Sequence, residues 1–408
     1  MYWPHFNNAM VRSRIIAGVA LFILALVLSV ETGRAHKPIT SPFTYNDDVF
    51  PILRDRCARC HVPEGVAPMS LMTYEDTVPW GESIRVELLS GHMPPWSVDA
   101  APTRFRNAQS ISAREMNVLL TWATGGTPFG STDKTPQPIS SERRWALGTP
   151  DLELPLPAEF TLPANKQEEI AEFVVPTGFS ERRWLRAVDL APGTPAVVRS
   201  ATVQLKSMSS DTASIAGEPL LALWLPGDDP IPVNNGAAFE VPPKAELFVR
   251  VRYKKTWQYE RKELRDRSTI GLYFTQEATQ PVRALPVTHD GPMLQVNNSR
   301  RQFSEAIPDD VRAVAIYPTE HPANAGITVV AIAPDGSRRE LIAFHPQREW
   351  ARRFWFNDPI ALERGTKFET TVTFDDETPA LPVSQGPAST QQDSSAVRLT
   401  LNVIATAR

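Results

Sequence analysis

This chain has only two cysteines, and both stand in one five-residue run, Cys57-Ala58-Arg59-Cys60-His61. The spacing is that of c-type haem attachment, in which two thiols add across the vinyl groups of a porphyrin and the following imidazole comes round as an axial ligand of the iron. Whatever surrounds the run must then fold about a flat, largely apolar ring. A structural zinc site needs a fourth ligand and usually a second Cys or His pair, and none follows at a finger-like distance. A thioredoxin-like dithiol follows a strand, whereas the residues ahead of Cys57 read as a helix; a redox dithiol or a plain disulfide is what remains beside haem.

The neighbourhood divides into three helical patterns. Asp47 and Asp48 can cap a helix with Pro51 in its first turn and Val49, Ile52, Leu53 and Cys57 on one face. Trp80, Ile84 and Leu88 recur at helical spacing and Gly91 closes that run. Ser112 and Glu115 spell a capping box, after which Met116, Leu119, Leu120 and Ala123 turn inward. Between the second and third patterns lies His92-Met93-Pro94-Pro95-Trp96. Met93 is the expected second axial ligand, because the prolines after it stiffen the loop, and His92 is the alternative. Met69 and Met72 are weaker candidates that read first as core packing. A thioether on the iron favours the ferrous state and so suits electron transfer.

Arg12 and Arg14, the apolar run 15–30 and Gly33-Arg34-Ala35 read together as a secretory signal peptide over residues 1–35, or else as an uncleaved anchor. The expected location is periplasmic or otherwise extracytoplasmic, with membrane contact only if the segment is retained. A formal charge of -4 implies no general affinity for nucleic acid. The 38 prolines favour loops and edge strands over long helices, and 408 residues hold two or three domains.

A Pro-, Ser- and Thr-rich stretch over 131–144 reads as a linker. Beyond it, β-rich runs alternate with Pro, Gly and Asp clusters, for example 196–205, 247–253, 269–274, 311–317, 328–332, 366–374 and 397–403. The expected fold is multidomain: an N-terminal all-α cytochrome c domain over 36–130, then an all-β region of two jelly-roll-like β-sandwiches, 145–280 and 281–408.

The run from Val49 to His61, with Ala67-Pro68-Met69, Thr73-Tyr74 and Met93-Pro94-Pro95-Trp96, resembles the cytochrome c domain that precedes copper type II ascorbate-dependent monooxygenase-like domains in bacterial exported proteins. Residues 145–375 resemble that β-sandwich family more loosely, through Trp145 to Asp151, Arg183 to Val188, Pro192 to Val198 and Trp355 to Pro359. The resemblance implies one copper per sandwich, yet its ligand positions are degenerate. Arg199 and Ser200 stand where two histidines belong, Arg252 where a third belongs, and of the second set only His321 is a histidine. No copper is expected, and one covalent haem c is.

The functional expectation is an exported mono-haem electron carrier whose β region meets a redox partner protein. The alternatives are a copper- or haem-dependent oxidoreductase acting on an organic substrate, and a β-sandwich binding module with an electron-supplying haem domain. His289, His321 and His345 read as surface or core residues, and 254–267 as a solvated hairpin tip or a docking surface.

Overall fold

The computed structural model describes residues 39–95, 98, 103–106, 110–134, 144–206, 220–234, 236–276, 278, 280–288, 293–297, 299–322, 325–346, 350–374 and 397–406. The expected signal segment, Trp96, His289 and most of the expected linker lie outside them.

A unit of short helices comes first. Thr44 accepts from the Asp47 N–H to cap a π-helical turn, Tyr45–Val49, and the chain continues as α1, Phe50–Arg56, with Pro51 where no N–H is needed. Thr73 caps α2, Tyr74–Thr77, which leads through a 3₁₀ turn to α3, Gly81–Leu89. The capping box of Ser112 and Glu115 opens α4, Ala113–Thr124. Tyr45, Leu53, Leu88, Leu119 and Trp122 form the shared core, and Trp122 Nε1 donates to the Pro128 carbonyl at 3.0 Å.

This unit is not the all-α cytochrome c domain expected over 36–130. Its longest helix has 12 residues, and helices this short bury little apolar surface on their own. Part of the segment leaves it altogether: Val98 pairs with Phe344 and Phe105 with Phe356 in isolated β-bridges, and Phe105 is buried in a sandwich core. The chain is mostly strand. The expected fold class is corrected accordingly, and with it the resemblance to a cytochrome c domain fused to a copper monooxygenase-like region.

The strands of the first sandwich are β1 (Leu152–Pro155), β2 (Phe160–Leu162), β3 (Glu168–Pro176), β4 (Arg183–Ala191), β5 (Val198–Leu205), β6 (Leu220–Trp224), β7 (Ala237–Val241), β8 (Glu246–Lys254), β9 (Leu264–Asp266), β10 (Thr269–Phe274) and β11 (Gln280–Pro281). Sheet β1-β10-β4-β7-β11 packs on sheet β3-β8-β5-β6. Strand β8 shows why: Leu247, Val249, Val251 and Tyr253 alternate inward, while Phe248, Arg250 and Arg252 point the other way.

The second sandwich holds β12 (Arg283–Thr288), β13 (Leu294–Gln295), β14 (Arg300–Ala306), β15 (Val311–Glu320), β16 (Ala325–Ile332), β17 (Arg338–Phe344), β18 (Phe354–Leu362), β19 (Lys367–Phe374) and β20 (Arg398–Ala405). Sheet β12-β20-β15-β18 faces sheet β13-β14-β19-β16-β17. Val314, Ala315, Trp355 and Ile404 of this sandwich pack into the core of the first. At that junction Arg353 is buried against the rings of Phe239, Tyr317 and Trp355 and donates to the Leu220 and Leu221 carbonyls. Among the described residues no helix is long and apolar enough to cross a membrane.

Candidate functional site

Cys57 caps the C-terminus of α1, its N–H donating to the Leu53 carbonyl. Its own carbonyl then accepts from the N–H groups of Cys60 at 3.0 Å and His61 at 2.9 Å. That tight turn sets Cys57, Cys60 and His61 on the wall of one cavity of about 310 Å³ between the helical unit and the sandwiches. The two sulfurs are not bonded to each other. Burial pushes both thiols up to about 12, with Cys60 adding to the effect at Cys57 and Asp228 at Cys60, so both are neutral S–H groups near pH 7. Such thiols are poor nucleophiles, which weighs against a redox dithiol.

His61 is fixed in one tautomer. Its Nδ1 lies 3.1 Å from the Met69 carbonyl oxygen, which can only accept, so Nδ1 carries the hydrogen and Nε2 the lone pair. Burial lowers its pKa and keeps the ring neutral. Met93 follows α3, where its N–H and that of His92 donate to the Glu87 carbonyl, and it lines the same cavity. Met69 lines it too. Met72 is buried in the helical core, and His92 is exposed beside Glu87 at 3.3 Å; neither lines the cavity.

The remaining wall divides by origin. On the helical side Leu53, Val66, Leu71, Ile84, Leu88 and Leu119 give an apolar surface, beside which Arg56, Arg59 and Glu87 also line the cavity. The sandwiches contribute Arg199, Gly227, Lys254, Trp350 and Arg352. Polar contacts close the seam: Arg59 donates to the Gly227 carbonyl at 2.9 Å and pairs with Asp229 at 2.8 Å. Arg352 makes two bonds of 2.7 Å to the Asp228 carboxylate and a third to the Pro95 carbonyl at 3.0 Å. The Cys60 thiol itself faces the Pro226 carbonyl at 3.5 Å.

The residues present suit a haem. The cavity lies within the volumes typical of cofactor sites, roughly 300–1,000 Å³, and a thiol pair and an imidazole lone pair meet in it against apolar walls. Among the described residues no group of three or more His, Cys, Asp or Glu is placed to hold a bare metal ion. A porphyrin brings four donors of its own and asks the chain only for axial ones.

Of the degenerate copper positions, Arg199, Ser200 and Arg252 lie together on β5 and β8, and His321 lies in the other sandwich. Ser200 and Arg252 are register partners on β5 and β8, and Arg252 pairs across the sheet with Glu168 at 2.6 Å. Arg199 is the one that reaches the Cys57–Cys60 cavity. His321 follows β15 in the second sandwich, with Nδ1 at 2.9 Å from the Pro322 carbonyl. Sequence reasoning did not place Gly227, Lys254 or Arg352 at the cavity; they come from distant strands and turns, and only the fold brings them there.

No family model and no curated protein matches the chain. Solved structures similar to it include the major capsid protein P2 of bacteriophage PM2, 10% identical over 62% of this chain and 98% of that one, with a TM-score of 0.29. Another is the peptide:N-glycanase F structure, 10% identical over 63% and 96% of the two chains, with a TM-score of 0.27. A third, allantoicase, is 8% identical over 58% and 78%, with a TM-score of 0.17. Scores this low carry nothing to the function of this chain.

Proposed function

We propose that this chain is an exported one-electron carrier that would hold a single haem through Cys57 and Cys60, with His61 and Met93 as the side chains that would donate to its iron. The observation that carries the proposal is the meeting of both thiols and the His61 imidazole on one apolar cavity. Bound there, the haem would supply a reversible one-electron couple. On attachment each thiol would add across one vinyl group, its sulfur to one carbon and its hydrogen to the other, so the step would oxidise nothing and need no oxidant. Met69 holds the His61 Nδ1 hydrogen through its carbonyl and so keeps Nε2 available as a donor. Met93 offers a soft thioether, and Leu53, Ile84, Leu88 and Leu119 keep water from the ring.

The test is a spectroscopic redox titration of the full chain, produced together with a haem-attachment system. A single reversible one-electron transition is expected. Met93→Ala should lower the midpoint potential and remove the weak long-wavelength band of methionine-bound ferric haem, while Met69→Ala keeps both. Loss of the band in Met69→Ala alone would transfer the ligand role to Met69. The absence of any reversible transition in the haem-loaded wild type would overturn the carrier assignment.

A further inference from the structure

Independently of the haem assignment, we infer that the turn Leu225–Asp228 is a latch over the Cys60 thiol. It is anchored to the second sandwich and closed by Arg59, and a reagent reaches the sulfur only when it opens.

The sequence builds a rigid turn here. Pro226 fixes its own φ, Gly227 takes a φ of +80°, and the Asp228 N–H donates to the Leu225 carbonyl at 3.1 Å. Proline followed by a glycine at positive φ is the chemistry of a type II turn. Asp228 then takes two bonds of 2.7 Å from Arg352, a buried residue just ahead of β18. That bidentate pair ties the turn to the β region, and breaking it would strand a buried charge.

The other side of the turn lies on the helical unit. The Pro226 carbonyl accepts from the Cys60 thiol at 3.5 Å. The Gly227 backbone comes so close that an added Cβ would stand 3.1 Å from the Cys60 sulfur. Arg59, the residue before Cys60, donates to the Gly227 carbonyl at 2.9 Å and pairs with Asp229 at 2.8 Å. Cys57 is placed differently, packed against the helical core.

The two fastenings are unequal. Arg352 is 5% exposed, whereas the Arg59 and Asp229 side chains are 45% and 43% exposed, and an ion pair in water holds weakly. Opening therefore begins on the Arg59 side. A thiol behind such a local opening reacts at its intrinsic rate multiplied by the open fraction.

The test is alkylation of the full chain, produced without haem attachment, by iodoacetamide at about pH 8, read by mass spectrometry. The sulfur displaces iodide and its proton passes to solvent. Cys57→Ala leaves Cys60 to be followed alone, and Cys60→Ala leaves Cys57. Arg59→Gln should speed Cys60 by about tenfold and Cys57 by much less, and Asp229→Asn should give a smaller rise at Cys60. The sign is diagnostic. Arg59 is among the cations that favour the Cys60 thiolate, so its loss would slow the reaction if charge alone acted. Gly227→Ala should also speed Cys60, because the added carbon pushes the turn off the sulfur. Gly336→Ala has a φ of +85° and nothing within 4 Å of the added carbon, so it carries the backbone strain alone and should leave both rates near wild type. An unchanged or slower Cys60 in Arg59→Gln would overturn the latch. So would an equal rise in Gly336→Ala, which would assign labelling to global unfolding, or a wild-type Cys60 that reacts as fast as in the urea-unfolded chain.

Discussion

Two kinds of residue line the candidate site, and they were not equally visible in the sequence. Cys57, Cys60 and His61 sit within five residues, so their meeting is a local matter of one turn and can be read from spacing. Arg199 is different. Its place on the cavity depends on a bulge between β5 and β8, strands that are far apart in the chain, and no local pattern records it. Asp189 was missed for the same reason. It is buried on β4 and accepts from the Leu190 N–H at 2.8 Å and the Ala146 N–H at 3.3 Å. Burial nevertheless outweighs these bonds and pushes its carboxyl up to about 6. The native state therefore binds its proton more tightly than the unfolded chain does. Asp189 contributes stability below the unfolded carboxyl pKa, and that contribution is lost as the pH rises through the folded value of about 6. Asp189→Asn should consequently gain on the wild type by roughly 2 kcal/mol as the pH rises from about 4 to about 7, as read from urea midpoints at each pH. A difference that stays flat across that range would show that Asp189 is not held protonated.

The turn between β6 and β7 meets the helical unit at Gly227, whose carbonyl accepts from Arg59 at 2.9 Å. Its φ is +80°, and a Cβ there would lie 3.0 Å from the Arg59 Cβ and 3.1 Å from the Cys60 sulfur. Gly227→Ala combines backbone strain with a steric clash at the seam, and a loss on the order of 2 kcal/mol is expected in chemical denaturation. Gly336→Ala is the comparison: its φ is +85° with nothing within 4 Å of the added carbon, so it isolates the backbone part. Equal losses in the two variants would remove the seam from the explanation. Regular elements were the most legible in sequence. The Ser112–Glu115 box marks the start of α4, and the β-rich runs 247–253 and 269–274 mark β8 and β10 within a residue or so of their observed ends. The loop through Val98 and Phe105 was not legible, because its backbone partners, Phe344 and Phe356, lie more than two hundred residues further on.

At the scale of the molecule, the helical unit and the sandwiches share one cavity. A helical segment this short buries little surface alone, so it gains stability from the seam formed by Arg59, Gly227, Asp229, Arg352 and Asp228. The fold also places a β-region arginine and lysine beside the thiols that would anchor the cofactor. The central claim is that Cys57 and Cys60 hold a haem covalently, and intact-protein mass spectrometry under denaturing acid tests it most directly. The full chain, produced with a haem-attachment system, should retain the mass of one haem after unfolding. Cys57→Ala with Cys60→Ala should show the mass of the bare polypeptide. A wild-type chain that unfolds to the bare polypeptide mass would contradict the claim.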